Sequence, residues 1–378
     1  MIKVMLEGIL YISYGVLLIM AGLMIRQLRY AMKHFTPPVY KTELGNETDM
    51  PSVTVCIPAR NEMHALTECL QRVIASDYEK LEIIVLDDVS GDDTSALIKS
   101  FAHEGVRFVQ GKALPQGWLG KNHALQGLLN EASGSYLLFM DVDTNIAPNA
   151  VSNMVRYALS KRASMVSVLP RREDGWRVSV LFSPLRYFWE ILFHQKSSPA
   201  TASSAWLMKR STLIDDFNGF NNLKAVVQPE AELSSALAAT DQYRFLISTS
   251  EFGVAYEKKW RSQLATSTRL LFPLFKNQVS IALMAVLDLF LLLVPVTVII
   301  VSLLNVLSIL TFIGMGIALL YAALYGWYAH RVWNKGAIVG ALLWPLLILQ
   351  EIILVAVSSY KYRKHAITWK GRKVLIRR

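Results

Sequence analysis

Two aspartates one residue apart, Asp141 and Asp143, directly follow the apolar run Tyr136-Leu137-Leu138-Phe139-Met140. In an extended segment residues i and i+2 point to one side, so the spacing predicts two carboxylates converging just beyond a buried strand. Hard divalent cations such as Mg²⁺ or Mn²⁺ take one or two carboxylates and complete their shells with water and phosphate oxygens, so this pair suits metal-assisted chemistry on a phosphate-bearing substrate. A second acidic pair, Asp87-Asp88, ends the run Glu82 to Leu86 and opens Val89-Ser90-Gly91-Asp92-Asp93-Thr94. Carboxylates at the tip of a buried strand are costly to desolvate unless something binds them. Capping of the next helix is the competing role, for which Asp92 and Asp93 are good material.

These residues need a frame. Val53 to Ile57, Glu82 to Leu86, Val106 to Val109 and Tyr136 to Met140 read as strands. Between and after them, His64 to Ala75, Asp93 to Ala102, Lys121 to Glu131 and Asn149 to Leu159 read as helices. Such alternation predicts an α/β domain with a mostly parallel sheet covered on both faces. Ligands of such sheets bind at the carboxyl ends of the strands, where the acidic pairs lie. Cys56 and Cys69 fall inside this domain; two cysteines make no zinc site, and no disulfide is expected.

The rest of the chain uses a different solvent. Of 378 residues, 53% are hydrophobic and 18% charged, and the mean hydropathy is +0.33, which excludes a disordered chain. Gly8 to Ile25 carries no charge and is followed by Arg26, Arg29 and Lys33; its length suits a membrane span. Basic residues on its C-terminal side and the lack of a small-residue cleavage site mark a signal anchor with that side in the cytoplasm. Asn277 to Ala329 holds one charge, Asp288, and room for two spans with a break near Asn305. His330, Arg331 and Lys335 then form a basic loop, and Gly336 to Tyr360 is a third apolar segment containing Pro345 and Glu351.

The tail from Tyr360 to Arg378 has eight basic residues and no acid, so it and the Arg26–Lys33 collar account for the whole net charge of +10. Charge placed beside apolar runs follows the positive-inside rule and excludes nucleic acid as the partner. A third full crossing would put the basic tail outside, against that rule. Gly336 to Tyr360 is therefore expected to be re-entrant or interfacial, unless another span is miscounted. The expected organisation is a membrane anchor (1–35), a linker (36–50), a cytoplasmic α/β domain (51–275), a membrane region of two or three segments (276–360) and a basic cytoplasmic tail (361–378). This describes a multi-pass protein of the cell (inner) membrane.

Taken together, the segments resemble the inverting, nucleotide-sugar-dependent glycosyltransferases of family 2, which have the GT-A (Rossmann-like) fold. The matching residues are Ile57-Pro58-Ala59-Arg60-Asn61-Glu62, Asp87-Asp88-x-Ser90, Gly117-Trp118-x-Gly120-Lys121-Asn122-His123, Asp141-x-Asp143, and Trp206-Leu207-Met208-Lys209-Arg210 with Phe217-Asn218-Gly219-Phe220. The Gly-Trp-x-Gly-Lys segment and Trp369-Lys370-Gly371-Arg372 are similar to a membrane-bound branch that includes carotenoid-acid (diaponeurosporenoate) and hopanoid-associated glycosyltransferases.

The resemblance implies that Pro58, Ala59, Arg60, Glu62, Asp87 and Asp88 cradle the nucleoside of a nucleoside diphosphate sugar, with UDP-sugars expected. Lys121 would meet the phosphates or the nucleotide loop, and Asp143 with Asp141 would hold Mg²⁺ or Mn²⁺. The family's general base lies in a Glu-Asp-x-x-Leu segment. Here Gln228-Pro229-Glu230-Ala231-Glu232-Leu233 takes its place, which puts Glu230 at the base position with Glu232 beside it, although both also suit a helix N-terminus. Trp206, Trp260 and Arg261 are expected on the acceptor side. The family's chain-holding Gln-x-x-Arg-Trp appears only as Trp260-Arg261-Ser262-Gln263 with the order altered, which favours single transfer over processive synthesis. The aromatic stretch Trp176 to Phe193 reads either as core or as an interfacial helix that guides a lipid acceptor. The function implied is transfer of one sugar to a lipid acceptor at the cytoplasmic leaflet. A polysaccharide synthase and a non-catalytic nucleotide-sugar-binding membrane protein are the alternatives.

Overall fold

The computed structural model describes residues 2–40, 50–275, 277–303, 308–333, 335–370 and 372–373. The polar linker stretch 41–49, the expected break at Asn305, Gly371 and the last five residues lie outside the described residues. The chain divides into two compact units: one combines 34–173, 193–257 and 367–378, the other 1–33, 174–192 and 258–366.

The first unit is built on a seven-stranded sheet. Strands β1 (Val53–Ala59), β2 (Leu81–Asp87), β3 (Val106–Gln110) and β4 (Tyr136–Met140) alternate with helices α2 (Met63–Ile74), α3 (Thr94–Ser100) and α4 (Gly120–Glu131), as the sequence pattern predicts. Strands β5 (Thr144–Ile146), β6 (Met165–Leu169), β7 (Arg171–Arg172), β8 (Ala205–Lys209), β9 (Tyr243–Ile247) and β10 (Val254–Tyr256) follow, with helices α5 (Ala150–Ser160), α8 (Arg210–Asp215) and α9 (Pro229–Ala239). The order is β3-β2-β1-β4-β8-β6-β9, with β5, β10 and β7 in a separate small sheet. β1, β2, β3 and β4 run parallel, whereas β8 is antiparallel to both β4 and β6.

Every residue of β4 is buried, as are the first five of β1 and the last five of β2. This is the apolar run expected of strands covered on both faces. Cys56 and Cys69 are both buried here. Because chain order reverses between β1 and β4, the carboxyl ends of these two neighbours flank the switch point at which open α/β sheets bind ligands. A short antiparallel pair, β11 (Thr368–Trp369) and β12 (Arg372–Lys373), belongs to the same unit.

The second unit holds the long helices α1 (Ile2–His34), α11 (Val279–Leu303), α12 (Ile309–Val332) and α14 (Trp344–Arg363), each long and apolar enough to cross a membrane. The shorter α6 (Val178–Leu181), α7 (Arg186–Leu192), α10 (Trp260–Leu274) and α13 (Ala337–Leu342) complete it. The Tyr14 hydroxyl of α1 donates to the Leu310 carbonyl, and the Tyr321 hydroxyl of α12 donates to the Leu17 carbonyl. The aromatic stretch Trp176 to Phe193 is broken into α6 and α7. Val180 and Phe188 are buried, Phe188 edge-on to Tyr325 and Tyr328, while Trp176 and Phe193 are exposed.

Helix α13 doubles back along α12. Gly340 leaves room for the Trp333 ring and Gly326 for Ala341, and Trp344 stacks on Tyr321, halfway along α12. From there α14 runs beside α10 in the same direction. The Trp260 indole donates to Gln350 (3.4 Å), the Ser358 hydroxyl donates to the Thr268 carbonyl (2.7 Å), and the Tyr362 hydroxyl donates to the Arg269 carbonyl. Leu354 and Val355 pack with Ala282 near the start of α11. Gln350 also donates to the Phe182 carbonyl, and Glu351 accepts from the Leu185 N–H.

Candidate active site

The loops after β1 and β2 are laced together. The Ala59 carbonyl accepts from Asp88 N–H (2.8 Å), the Ser90 hydroxyl from Asn61 N–H (3.0 Å), and the Thr94 hydroxyl from Glu62 N–H (3.0 Å). Arg60 donates to the carbonyls of Asp88 and Val89, so its guanidinium holds the second loop against the first. Gly111, just past β3, must be glycine: its N–H donates to the Asp87 carbonyl, and a Cβ would lie 2.4 Å from that oxygen.

The adjacent aspartates divide their work. Asp87 accepts from the Ser90 N–H (3.3 Å) and the Ser95 hydroxyl (2.7 Å) and is buried. It ties the loop to the first turn of α3, so its carboxylate has a structural task beside the nucleotide contact expected of it. Asp88 is only 2% exposed; Oδ2 sits 2.6 Å from the Arg372 guanidinium, and Oδ1 has no hydrogen-bond partner. Burial pushes the Asp88 carboxyl up, opposed by Arg372 and Arg60. Burial likewise raises Glu62, opposed by Lys370, whose ammonium lies 2.6 Å from Oε1. Asp92 accepts from the Thr94 N–H and hydroxyl and so supplies the capping contact at the start of α3. Pro58 and Ala59 belong to β1, with Ala59 fully buried.

Beyond β4, Asp141, Val142 and Asp143 form a turn rather than an extension of the strand. The Thr144 N–H donates to the Asp141 carbonyl (3.0 Å), and the chain re-enters as β5. Val142 is buried, while Asp141 and Asp143 are partly exposed on either side of it. Lys121, in the first turn of α4, reaches Asp141 at 2.9 Å. Two carboxylates of this kind fit a hard divalent cation that takes its remaining ligands from phosphate and water. Among the described residues no group of three or more His, Cys, Asp and Glu could hold a metal ion without such help. His123, next on α4, stands edge-on to Trp118, and burial lowers its pKa.

Helix α9 starts at Pro229, a residue suited to the first helical turn. Glu230 is 2% exposed and Glu232 is exposed, so of the two only Glu230 has the water-excluded setting of a general base. The segment leading to it is clamped by Asn122, which the sequence reading passes over as part of a motif. This buried side chain donates to the carbonyls of Leu223 (2.6 Å) and Val226 (2.8 Å).

Trp206 is fully buried on β8, stacked on Phe139 at 4.3 Å and near Phe220. It is a core residue, which corrects its expected place on the acceptor side: no face of the ring is open. The Phe217-Asn218-Gly219-Phe220 turn also serves positioning. Asn218 and Gly219 have left-handed backbones, and the Phe220 N–H donates to Gln126 of α4. Trp260 and Arg261 open α10 in the other unit, both exposed. Gln263 is buried and donates to the carbonyls of Ser179 and Lys258.

Residues 54–217 match the family Glycosyl transferase family 2. The chain is 30% identical over 112 residues to the GalNAc(5)-diNAcBac-PP-undecaprenol beta-1,3-glucosyltransferase of Campylobacter jejuni, covering 29% of this chain and 35% of that protein. It is 30% identical over 135 residues to the undecaprenyl-phosphate 4-deoxy-4-formamido-L-arabinose transferase of Aeromonas hydrophila, covering 35% and 41%. It is also 30% identical over 131 residues to the poly-beta-1,6-N-acetyl-D-glucosamine synthase of Staphylococcus aureus, covering 34% and 29%. The chain thus spans well under half the length of these relatives. Among solved structures, the mannosyltransferase PcManGT from Pyrobaculum calidifontis, in complex with GDP-Man and Mn²⁺, superposes with a TM-score of 0.56 at 19% identity, covering 93% of this chain and 99% of that one. Residues 54–217 thus match a glycosyltransferase family 2 domain, on a sheet core with the GT-A fold, and the chain also has helices long and apolar enough to span a membrane.

Proposed function

We propose that the protein is a membrane-bound, metal-dependent inverting glycosyltransferase that moves one sugar from a nucleoside diphosphate sugar to a lipid acceptor. The observation that carries this reading is the convergence of Arg60, Glu62 and Asp88 with the Lys121–Asp141 pair and Asp143 around the carboxyl ends of β1, β2 and β4. Asp88 Oδ1 would accept from the nucleobase, and Asp141 and Asp143 would hold Mg²⁺ or Mn²⁺ on the diphosphate. A divalent ion there would neutralise charge on the departing diphosphate. Glu230 would take the proton from an acceptor hydroxyl as its oxygen attacks the anomeric carbon and the bond to the diphosphate oxygen breaks, the electron pair leaving with the nucleoside diphosphate. A phosphate acceptor would need no base.

A lipid acceptor is supported by the undecaprenyl-linked substrates in the names of two relatives and by the likeness of Gly117 to Lys121 to the carotenoid-acid and hopanoid-associated branch. The altered order at Trp260 and Arg261, with Gln263 engaged in helix packing, favours single transfer over the polymer synthesis named for the staphylococcal relative.

Two contacts support a particular membrane arrangement. Trp344 begins α14 at mid-height of α12, and Lys370 and Arg372 pair with Glu62 and Asp88 of the α/β unit. We infer that α11 leaves, α12 returns, and α13 with α14 dips into the bilayer and comes back on the side it entered. This puts the basic tail and the α/β unit together, on the cytoplasmic side by the charge rule. A cysteine placed at Lys364 should be labelled by an impermeant maleimide from the same side as one at Asp215; labelling from opposite sides refutes the arrangement. For the activity, purified protein is titrated with UDP or GDP and Mn²⁺, and lipids from cells with and without the gene are compared by mass spectrometry. Absence of metal-dependent nucleotide binding would sink the reading.

A further inference from the structure

Thr368 to Lys373 follows the last helix of the membrane-type unit, yet it sits in the α/β unit. β11 and β12 pair antiparallel, Trp369 opposite Arg372, and Lys370 adopts φ +47° at the connection. A left-handed residue at the connection is typical of a tight hairpin turn. Two cations of this hairpin, Lys370 and Arg372, land on the acidic residues of the strand-end loops. Lys370 Nζ is 2.6 Å from Glu62 Oε1, and Arg372 Nη1 is 2.6 Å from Asp88 Oδ2. Arg372 Nη2 also reaches the Asp88 carbonyl, and Arg60 Nε donates back to the Lys370 carbonyl.

This is more than a surface ion pair, which contributes little. Asp88 is 2% exposed, and its second oxygen, Oδ1, is buried without a donor. A buried carboxylate oxygen left unpaired is costly, and this one is held in a fixed direction because Oδ2 is already engaged by the guanidinium. Lys370 is paired with Glu62 at 2.6 Å, and Glu62 in turn feels the charge of the Asp143 carboxylate.

We propose that this hairpin is a wall of the donor site and that Arg372 and Lys370 are donor-binding elements. The proposal rests on the nucleotide-sugar reading above. Arg372 is a positioning residue: it fixes the Asp88 carboxylate so that Oδ1 faces a nucleobase N–H. Lys370 contributes positive charge to the diphosphate. The active site is therefore assembled from the α/β sheet and from a segment on the far side, in sequence, of the membrane helices.

The test uses the full-length protein in detergent micelles with Mn²⁺, titrated calorimetrically with uridine, UDP, guanosine and GDP. Wild type should bind one of the diphosphates; if it binds neither, the nucleotide-site reading itself fails and the proposal with it. Given wild-type binding, Arg372→Ala should weaken the nucleoside and its diphosphate alike, by at least about tenfold, with partial recovery in Arg372→Lys. Lys370→Ala should weaken only the diphosphate. Lys364→Ala, which removes a charge from the preceding helix end, should change neither. The unfolding midpoint is recorded for each variant, and Lys370, being 30% exposed, gives a readout that does not depend on a buried position. Unchanged affinities in both alanine variants would overturn the proposal, and tighter binding would show a plug instead of a wall.

Discussion

Asn122 offers the sharpest test of how the site is positioned. It is 1% exposed, and its amide donates to the carbonyls of Leu223 at 2.6 Å and Val226 at 2.8 Å. These bonds hold the segment that runs into Pro229 and Glu230. Asn122→Ala strips the donor from two partly buried carbonyls. At about 1–3 kcal/mol for each unsatisfied group, partly offset by relaxation and by access of water, the loss comes to about 2–4 kcal/mol. A domain of roughly 200 residues loses about 2–4 °C of unfolding midpoint per kcal/mol, so intrinsic fluorescence of the full-length protein in micelles should show a fall of about 4–16 °C. Asn122→Asp is the more telling variant. A carboxylate in place of the amide faces two carbonyl oxygens and repels both, so its deficit should grow as pH rises through the carboxyl titration, whereas the alanine deficit should not. A midpoint within about 1 °C of wild type for Asn122→Ala, or an Asn122→Asp deficit that shrinks with rising pH, would refute the clamp.

Asp143→Asn keeps the side-chain shape while removing a carboxylate charge; Mn²⁺-dependent nucleotide binding and sugar transfer should both be lost, and near-normal transfer would refute the metal assignment. Glu230→Gln should lower kcat by roughly 10²–10⁴ for a hydroxyl acceptor and far less for a phosphate acceptor, while Glu232→Gln, on the exposed side of the same helix turn, should leave kcat within a few-fold. Burial raises the carboxyl groups of Glu62 and Asp88, so donor binding that needs ionised Asp88 should weaken on acidification with a midpoint above the ordinary carboxylate value of about 4. The stability linkage has the opposite sign. With folded values above unfolded ones, the folded state holds these protons more tightly, so both groups favour folding below the unfolded values and lose that contribution as pH rises through the folded ones. Calorimetric affinity for the nucleoside diphosphate between about pH 4.5 and 7.5, read beside the unfolding midpoint, checks both slopes.

The first half of the α/β unit is legible because each strand is a short apolar run ending in polar residues, and each helix starts within two residues of its expected place. The second half is not. β8 enters antiparallel between β4 and β6, a pairing between distant segments that leaves no local signal. Asp141 and Asp143 are both partly exposed just beyond β4, but a turn, not the strand alternation read from the sequence, sets their positions. Trp206 is placed by its position in a motif, and motif position does not report burial. Asn122 lies in plain sight within Gly117 to His123, but its partners are a hundred residues away in sequence, so only the folded chain reveals the clamp.

The basic tail is the most informative discrepancy. As sequence, its positive charges between Tyr360 and Arg378 serve only to orient the membrane region, and they conflict with three full crossings. The arrangement proposed above would remove the conflict. Tyr321 meets Trp344 at half the height of α12, which in that arrangement starts α14 part-way through the bilayer despite its length and composition. Lys370 and Arg372 end on Glu62 and Asp88, contacts that the proposed arrangement accommodates by keeping tail and sheet on one side. Length and hydropathy measure only whether a helix is able to cross; where it starts is set by side chains such as Gly340 and Gly326, which let α13 lie close against Trp333 and α12. Part of the tail's charge therefore has a local role at the buried Asp88 and the partly buried Glu62 carboxylates, and neutralising those two positions should impair the site while leaving orientation to the remaining basic residues.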